Sequence, residues 1–252
     1  MGIYTEYDYL CNELFFVENI GLIKCPTLRD IRKITYRVWS NYIHTLTVTL
    51  YSYLEENALT AKYEALNKSE MEKQTLFRLL LYGSTDFLFG MIRFFVSDNL
   101  ELKFNPETES INVYETSPIE ENRCIGHIGN DNFETFRKHI KLIIGIEESD
   151  EKKPKFKSKR AQYIYEKTLQ NNTPKGDLNY SLDNMIKKYC THNKVGINIL
   201  NIWDMTYFQF ITMFGEYCKG RQCDISDAMA ANSFSYKKSS EYRPMEYMKK
   251  LN

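Results

Sequence analysis

Cysteine and histidine are the side chains here with the widest chemical reach, as metal ligands or as nucleophile and base. Six cysteines stand at 11, 25, 124, 190, 218 and 223, and four histidines at 44, 127, 139 and 192. Only Cys218 and Cys223 are close neighbours. A zinc site pairs its ligands at short spacing and then needs a second pair. The nearest other donors, Cys190 and His192, fall on a different element, so no metal site is expected. No H-E-x-x-H pattern is present, and any Cys–His pair is of the kind that chance supplies. Asp224 and Asp227 could share a helical face as an acid–base pair, but capping and solvation explain them better. No Walker loop and no G-x-G-x-x-G segment occurs, so nucleotide chemistry has no support. The expectation is no catalysis and no cofactor.

The elements that would position these groups change period along the chain. The alternating stretch from Ile20 to Cys25 suits a strand or hairpin. Thr27 and Asp30 form a capping box. From Leu28 on, Ile31, Ile34, Val38, Tyr42 and Leu46 lie on one helical face. The β-branched run Thr45–Thr49 ends or bends that helix, and 52–68 reads as a solvated, partly helical linker. Ser69 and Glu72 predict a second box, opening an apolar segment to Val96 that Gly83 and Gly90 divide. Leu100, Leu102 and Phe104 alternate, as do Ile111 and Val113 after a loop of about five residues. Cys124, Gly126 and Ile128 are spaced as a third strand. Asp131 and Glu134 then cap a helix carrying Phe133, Phe136 and Ile140.

Residues 147–160 place an acidic run against a basic one, the mark of an exposed connector. Beyond it the chain reads as helical: 157–170, a segment opened by Ser181, and a helix entered through a Thr206–Gln209 box. Phe210, Met213, Phe214 and Tyr217 follow on one face. A short separate helix is expected near Ile225 to Ala231, and a last amphipathic segment runs from Pro244 to Leu251. The fold class is thus α+β: N-terminal helices with a small antiparallel hairpin or sheet, followed by a mostly helical C-terminal unit. The domain reading is 1–146, a charged connector at 147–160, and 161–252.

Composition bounds the function. The 252 residues carry 33 basic and 33 acidic side chains, so the formal net charge is zero. That removes the broad field which non-specific nucleic-acid or membrane binding needs. Hydrophobic content of 43% excludes wholesale disorder. No apolar run approaches the ~20 residues of a membrane helix. The N-terminus carries acids where a signal peptide would carry bases, so a cytoplasmic location is expected, with free thiols.

Trp203, Tyr207, Phe208, Phe210, Phe214 and Tyr217 read first as a helix core at 3.6-residue spacing. Tyr207, Phe208 and Phe210 nevertheless wrap more of the helix than one buried face can use. Some of that surface must meet another element, another copy or a partner. The closing segment, with Met245, Met248 and Leu251 on one side, docks on its own domain or in a partner's groove. The candidate partner-binding residues are therefore Trp203, Tyr207, Phe208, Phe210, Tyr217, Met245 and Met248.

Three stretches resemble a family of tail assembly chaperones of phages infecting low-GC Gram-positive bacteria. The first is Ile20–Ile34, an apolar strand, Pro-Thr-Leu and a helix, with Tyr36 and Tyr42 beyond. The second is Pro154–Lys167, where a charged connector ends in a helix with Arg160 and Ala161. The third and most specific is Ile199–Phe210, followed by the Ala-rich turn Asp227–Ala231. The chain departs from the family in Tyr242–Leu251, where Tyr247 stands in place of a tryptophan.

The resemblance implies a non-catalytic protein of the host bacterial cytoplasm. It would bind the tape-measure protein, a very long helical chain, and assist as tail-tube subunits polymerise around it; a homo-oligomer is also open. A structural tail or baseplate component is the main rival. A nucleic-acid-binding regulator using Lys152–Arg160 is another, and nucleic acid is the less expected partner.

Overall fold

A computed structural model describes residues 4–116, 123–146 and 180–231. The chain divides into two compact units, Met1–Lys175 and Gly176–Asn252. The connector 147–160, the helix expected at 157–170 and the closing segment 244–251 lie outside the described residues. The fold is α+β as read from the sequence, with helices and small antiparallel sheets in the first unit and helices in the second.

In the first unit α1 (Glu6–Tyr9) leads into a hairpin of β1 (Leu14–Val17) and β2 (Gly21–Lys24), with Phe15 opposite Ile23. Phe15, Val17 and Ile23 are buried, while Leu14 and Phe16 on the other face are exposed. The turn needs left-handed backbone at Asn19 (φ 62°) and Gly21 (φ 110°). The expected Thr27–Asp30 box forms, with Thr27 Oγ1 accepting from the Asp30 amide at 3.1 Å. Burial alone would raise the Asp30 carboxyl. Hydrogen bonds from Lys33 and Thr27, with the Lys33 charge, outweigh that and hold it below its ordinary value.

The single helix expected from Leu28 to Leu46 is two, α2 (Leu28–Ile34) and α3 (Tyr36–Thr47). Thr35 separates them at φ 72°, a conformation no helix accommodates. The β-branched run does end α3, since Val48 is extended. The expected linker at 52–68 contains α4 (Leu50–Glu56), α5 (Thr60–Glu64) and the start of α6 (Lys68–Lys73). The cap of α6 is Asn67 with Glu70, not Ser69 with Glu72. Gly83 ends α7 (Leu76–Gly83) as expected, but Gly90 lies inside α8 (Thr85–Phe95). Its reason is packing: a β-carbon there would stand 2.8 Å from the Tyr42 hydroxyl.

The sheet is antiparallel in the order β3 (Leu100–Asn105), β4 (Ser110–Glu115) and β5 (Arg123–Ile128). Ile111, Val113 and Ile128 fill its buried face. The following helix, α9 (Phe133–Ile143), is preceded by Asn132, whose Oδ1 accepts from the Gly129 amide at 2.9 Å. Asp131, the expected cap, pairs instead with His127 at 3.0 Å. Trp39, Phe94, Phe95, Phe133 and Phe136 form the aromatic centre of the core, linked at centroid separations of 5.2–6.5 Å.

In the second unit α10 (Leu182–His192) is followed by a single 3-10 turn, Ile202–Asp204, and then α11 (Tyr207–Ala231). Between them Asn193 organises the loop: its Oδ1 accepts from the amides of Val195 and Ile197, and its Nδ2 donates to the Tyr189 carbonyl. The short separate helix expected near Ile225 is absent, because α11 runs unbroken to Ala231. No proline interrupts it, and Gly215 and Gly220 are tolerated within it.

Candidate partner-binding face of the C-terminal unit

Helix α11 begins where the sequence places its start. The Thr206 amide donates to Gln209 Oε1 at 2.8 Å, and the Gln209 amide donates back to Thr206 Oγ1 at 3.1 Å. Just upstream, Trp203 Nε1 donates to the Ile199 carbonyl at 2.8 Å, which pins the 3-10 turn against the loop.

The aromatic residues singled out from the sequence have different fates. Phe208 and Phe210 are 6% and 0% exposed, so they present almost no surface. Phe210, Phe214 and Tyr217 pack edge-on against Tyr189 of α10 at 6.0, 6.5 and 5.7 Å. Trp203, Tyr207 and Tyr217 are half-buried and keep some outward surface. Met245 and Met248 lie outside the described residues.

A mismatch of lengths defines the remaining surface. α11 has 25 residues and α10 has 11, about 37 Å against about 16 Å at the helical rise. α10 therefore spans less than half of the longer helix. At 100° per residue the stripe of Phe210, Phe214 and Tyr217 passes into Arg221, Asp224 and Ala228, while Ile225 and Met229 lie about 60–100° round from Phe210, on the flank of Tyr207, Ile211 and Cys218. Every described residue from Arg221 onward is exposed or half-buried. Ile225 and Met229 are 52% and 51% exposed, and Met213 and Leu200 add further apolar surface. Neither Ile225 nor Met229 was singled out from the sequence. Their i, i+4 spacing, on the flank they share with Tyr207, Ile211 and Cys218, is the signal that could have found them.

A groove of about 270 Å³ opens between the two helices, lined by Tyr189, His192, Lys194, Met213, Tyr217 and Arg221 among others. The Tyr189 hydroxyl is buried with no hydrogen-bond partner among the described residues. Burial, and then the neighbouring Cys190, raise its pKa, so it stays a neutral donor. Lys194 reaches Asp224 at 3.4 Å across the rim.

Cys218 and Cys223 are both free thiols on α11. Five residues apart on a helix, they point about 140° away from one another. Among the described residues no three His, Cys, Asp or Glu side chains are grouped closely enough to hold a metal. In the first unit, burial pushes the Cys25 thiol up to about 12. Among the described residues no helix is long and apolar enough to cross a membrane. What α11 offers is an aromatic stripe packed against α10 in its first half and an exposed apolar pair, Ile225 and Met229, on its flank in the second.

Residues 171–252 match the family described as the YomV second domain, and YomV is a Bacillus prophage protein. The matched segment begins five residues before the boundary at Gly176 and runs through the whole second unit. No curated protein and no solved structure matches the chain. The C-terminal unit is thus similar to a domain of a prophage protein.

Proposed function

From that similarity to a prophage protein's domain, we propose that the chain is a non-catalytic tail assembly chaperone. It binds the tape-measure protein and keeps it soluble until tail-tube subunits replace it. The observation that carries this reading is the exposed apolar pair Ile225 and Met229 on the part of α11 beyond its packing against Tyr189. A long amphipathic helix exposes an apolar stripe that must be covered before the tube forms around it. A helix already half covered by α10 offers its open half to such a stripe by ordinary helix-on-helix packing. Methionine suits the contact, because its unbranched side chain adapts to the varied sequence of a long partner. The open stretch is short, which fits a partner that must later be displaced.

The test is affinity capture of the tape-measure protein from the same prophage, co-expressed with the wild-type chain or with Ile225→Asp/Met229→Asp. Both sites are solvent-exposed, so thermal unfolding should move by about 0.5 kcal/mol or less. Losing two apolar anchors of about 1.5–3 kcal/mol each should cut capture by roughly tenfold or more. Equal capture by both proteins would remove this face from the contact.

A further inference from the structure

The outer edge of the three-stranded sheet is open. β3 is the terminal strand, and among the described residues no strand pairs with its other side. The edge is already used at its start. The Leu100 amide donates to the Ser97 carbonyl at 3.1 Å, and the Leu100 carbonyl accepts from Arg93. Successive residues of an antiparallel strand send their backbone groups to opposite sides. Leu102 and Phe104 therefore carry the remaining outward N–H and C=O groups. Beside this edge runs a mostly apolar groove of about 540 Å³, lined by Phe89, Gly90 and Arg93 of α8 and by Leu100, Glu101 and Leu102. Near the far end of the strand Phe104 is 44% exposed.

From Leu100 to Phe104 the strand reads apolar, acid, apolar, base, apolar, which is its own complement under a two-fold axis through Leu102. We propose that β3 pairs antiparallel with β3 of a second copy of this chain. Leu102 faces Leu102, and each Phe104 seats opposite the other copy's Leu100, beside the groove under Phe89 and Gly90. On the opposite face, Glu101 of each copy meets Lys103 of the other. A two-fold contact must be self-complementary, and cross-strand apolar and opposite-charge pairs are its units of stability. Within one chain Glu101 and Lys103 pair at 3.1 Å, both about half exposed, and Lys103 also stands over the Tyr114 ring at 5.4 Å.

The backbone ladder is short, because Leu100 is engaged within its own chain. Leu102 exchanges one pair of hydrogen bonds, and the side chains carry the rest. A lysine on an edge strand ordinarily deters strand addition. Here it selects the register, since a slip to a two-fold axis through Lys103 sets lysine against lysine. The inference concerns the first unit and does not depend on the helix-binding reading.

Sedimentation of the full chain at up to about 200 μM tests it, at a moderate salt that leaves ion pairs effective. The expected species approaches twice the 29.9 kDa monomer mass. Phe104→Ser should weaken the dimer by about tenfold and Lys103→Glu by about fivefold, the latter by opposing two acids. The swap Glu101→Lys/Lys103→Glu should return it to within about twofold of wild type, which a folding defect could not do. These side chains are at least partly exposed, so circular dichroism can confirm that each variant folds. A chain that stays monomeric, a dimer that Phe104→Ser and Lys103→Glu leave unchanged, or a swap variant as weak as Lys103→Glu each overturns the proposal.

Discussion

Replacing Gly126 with alanine is expected to lower the stability of the first unit by about 3 kcal/mol, the upper range for a forced overlap. A β-carbon at that position would lie 2.7 Å from the Ile20 carbonyl carbon and 2.8 Å from the carbonyl carbon and oxygen of Asn19. These are backbone atoms, so no rotamer change relieves the overlap. The Asn19 carbonyl is also the anchor that ties the β1–β2 turn to the sheet. It accepts from the His127 amide at 2.8 Å and from Asn132 Nδ2 at 3.3 Å. Pushing the turn away breaks those bonds and lifts buried Val17, Ile20 and Ile23 from their packing. Gly83→Ala is the contrasting case. Nothing lies within 4 Å of the added carbon, and alanine at the end of α7 should be neutral or add up to about 1 kcal/mol. Urea unfolding of both variants measures the difference. A Gly126→Ala protein within about 0.5 kcal/mol of wild type would contradict this account of the interface.

The second large effect is expected at Arg137, and Arg137→Met should destabilise the first unit by about 3 kcal/mol. This side chain is 6% exposed. Its Nε donates to the Leu46 carbonyl at 2.9 Å and Nη2 to the Val48 carbonyl at 2.5 Å, while Nη1 reaches Glu134 at 2.7 Å. Leu46 is in the last turn of α3 and Val48 follows that helix, so both carbonyls lack a helical partner. A cation at a helix C-terminus also meets the negative end of its dipole. Methionine preserves much of the packed length but leaves two oxygens without their donors. Lysine retains the charge yet lacks the planar fork that spans both carbonyls, so Arg137→Lys should fall between the two. A loss below about 1 kcal/mol for Arg137→Met would mean that water or another group satisfies these oxygens.

Local chemistry was legible where it depends on residues three or four apart. Thr27 with Asp30 and Thr206 with Gln209 follow from side-chain reach, and both boxes are in place. The hairpin and the three-stranded sheet follow from period-two alternation. Adjacent candidates confuse the same rule: Asn67–Glu70 and Ser69–Glu72 have equal spacing, and only the chain's approach decides. Tertiary causes leave no local mark. Ile31, Ile34 and Val38 keep helical spacing across the break at Thr35. Gly90 looks like a helix breaker because the Tyr42 hydroxyl that requires it is 48 residues away in sequence. Nothing around Arg137 announces that it closes a helix ending at Thr47.

The partner-binding candidates were legible as a helix but not as a surface. The aromatic run from Tyr207 to Tyr217 has the right period, yet sequence cannot say how far along α11 its neighbour extends. Phe208 and Phe210 are buried, and α10 stops after 11 residues. The open apolar surface moves toward Ile225 and Met229.

The most direct test of the chaperone reading is quantitative mass spectrometry of this protein in lysate from the induced prophage and in purified particles. The account predicts abundance in the lysate together with absence from finished particles, because the cover on the tape-measure helix is displaced as the tube closes. A stoichiometric amount in the particles would contradict it and make the chain a structural component of the tail or baseplate.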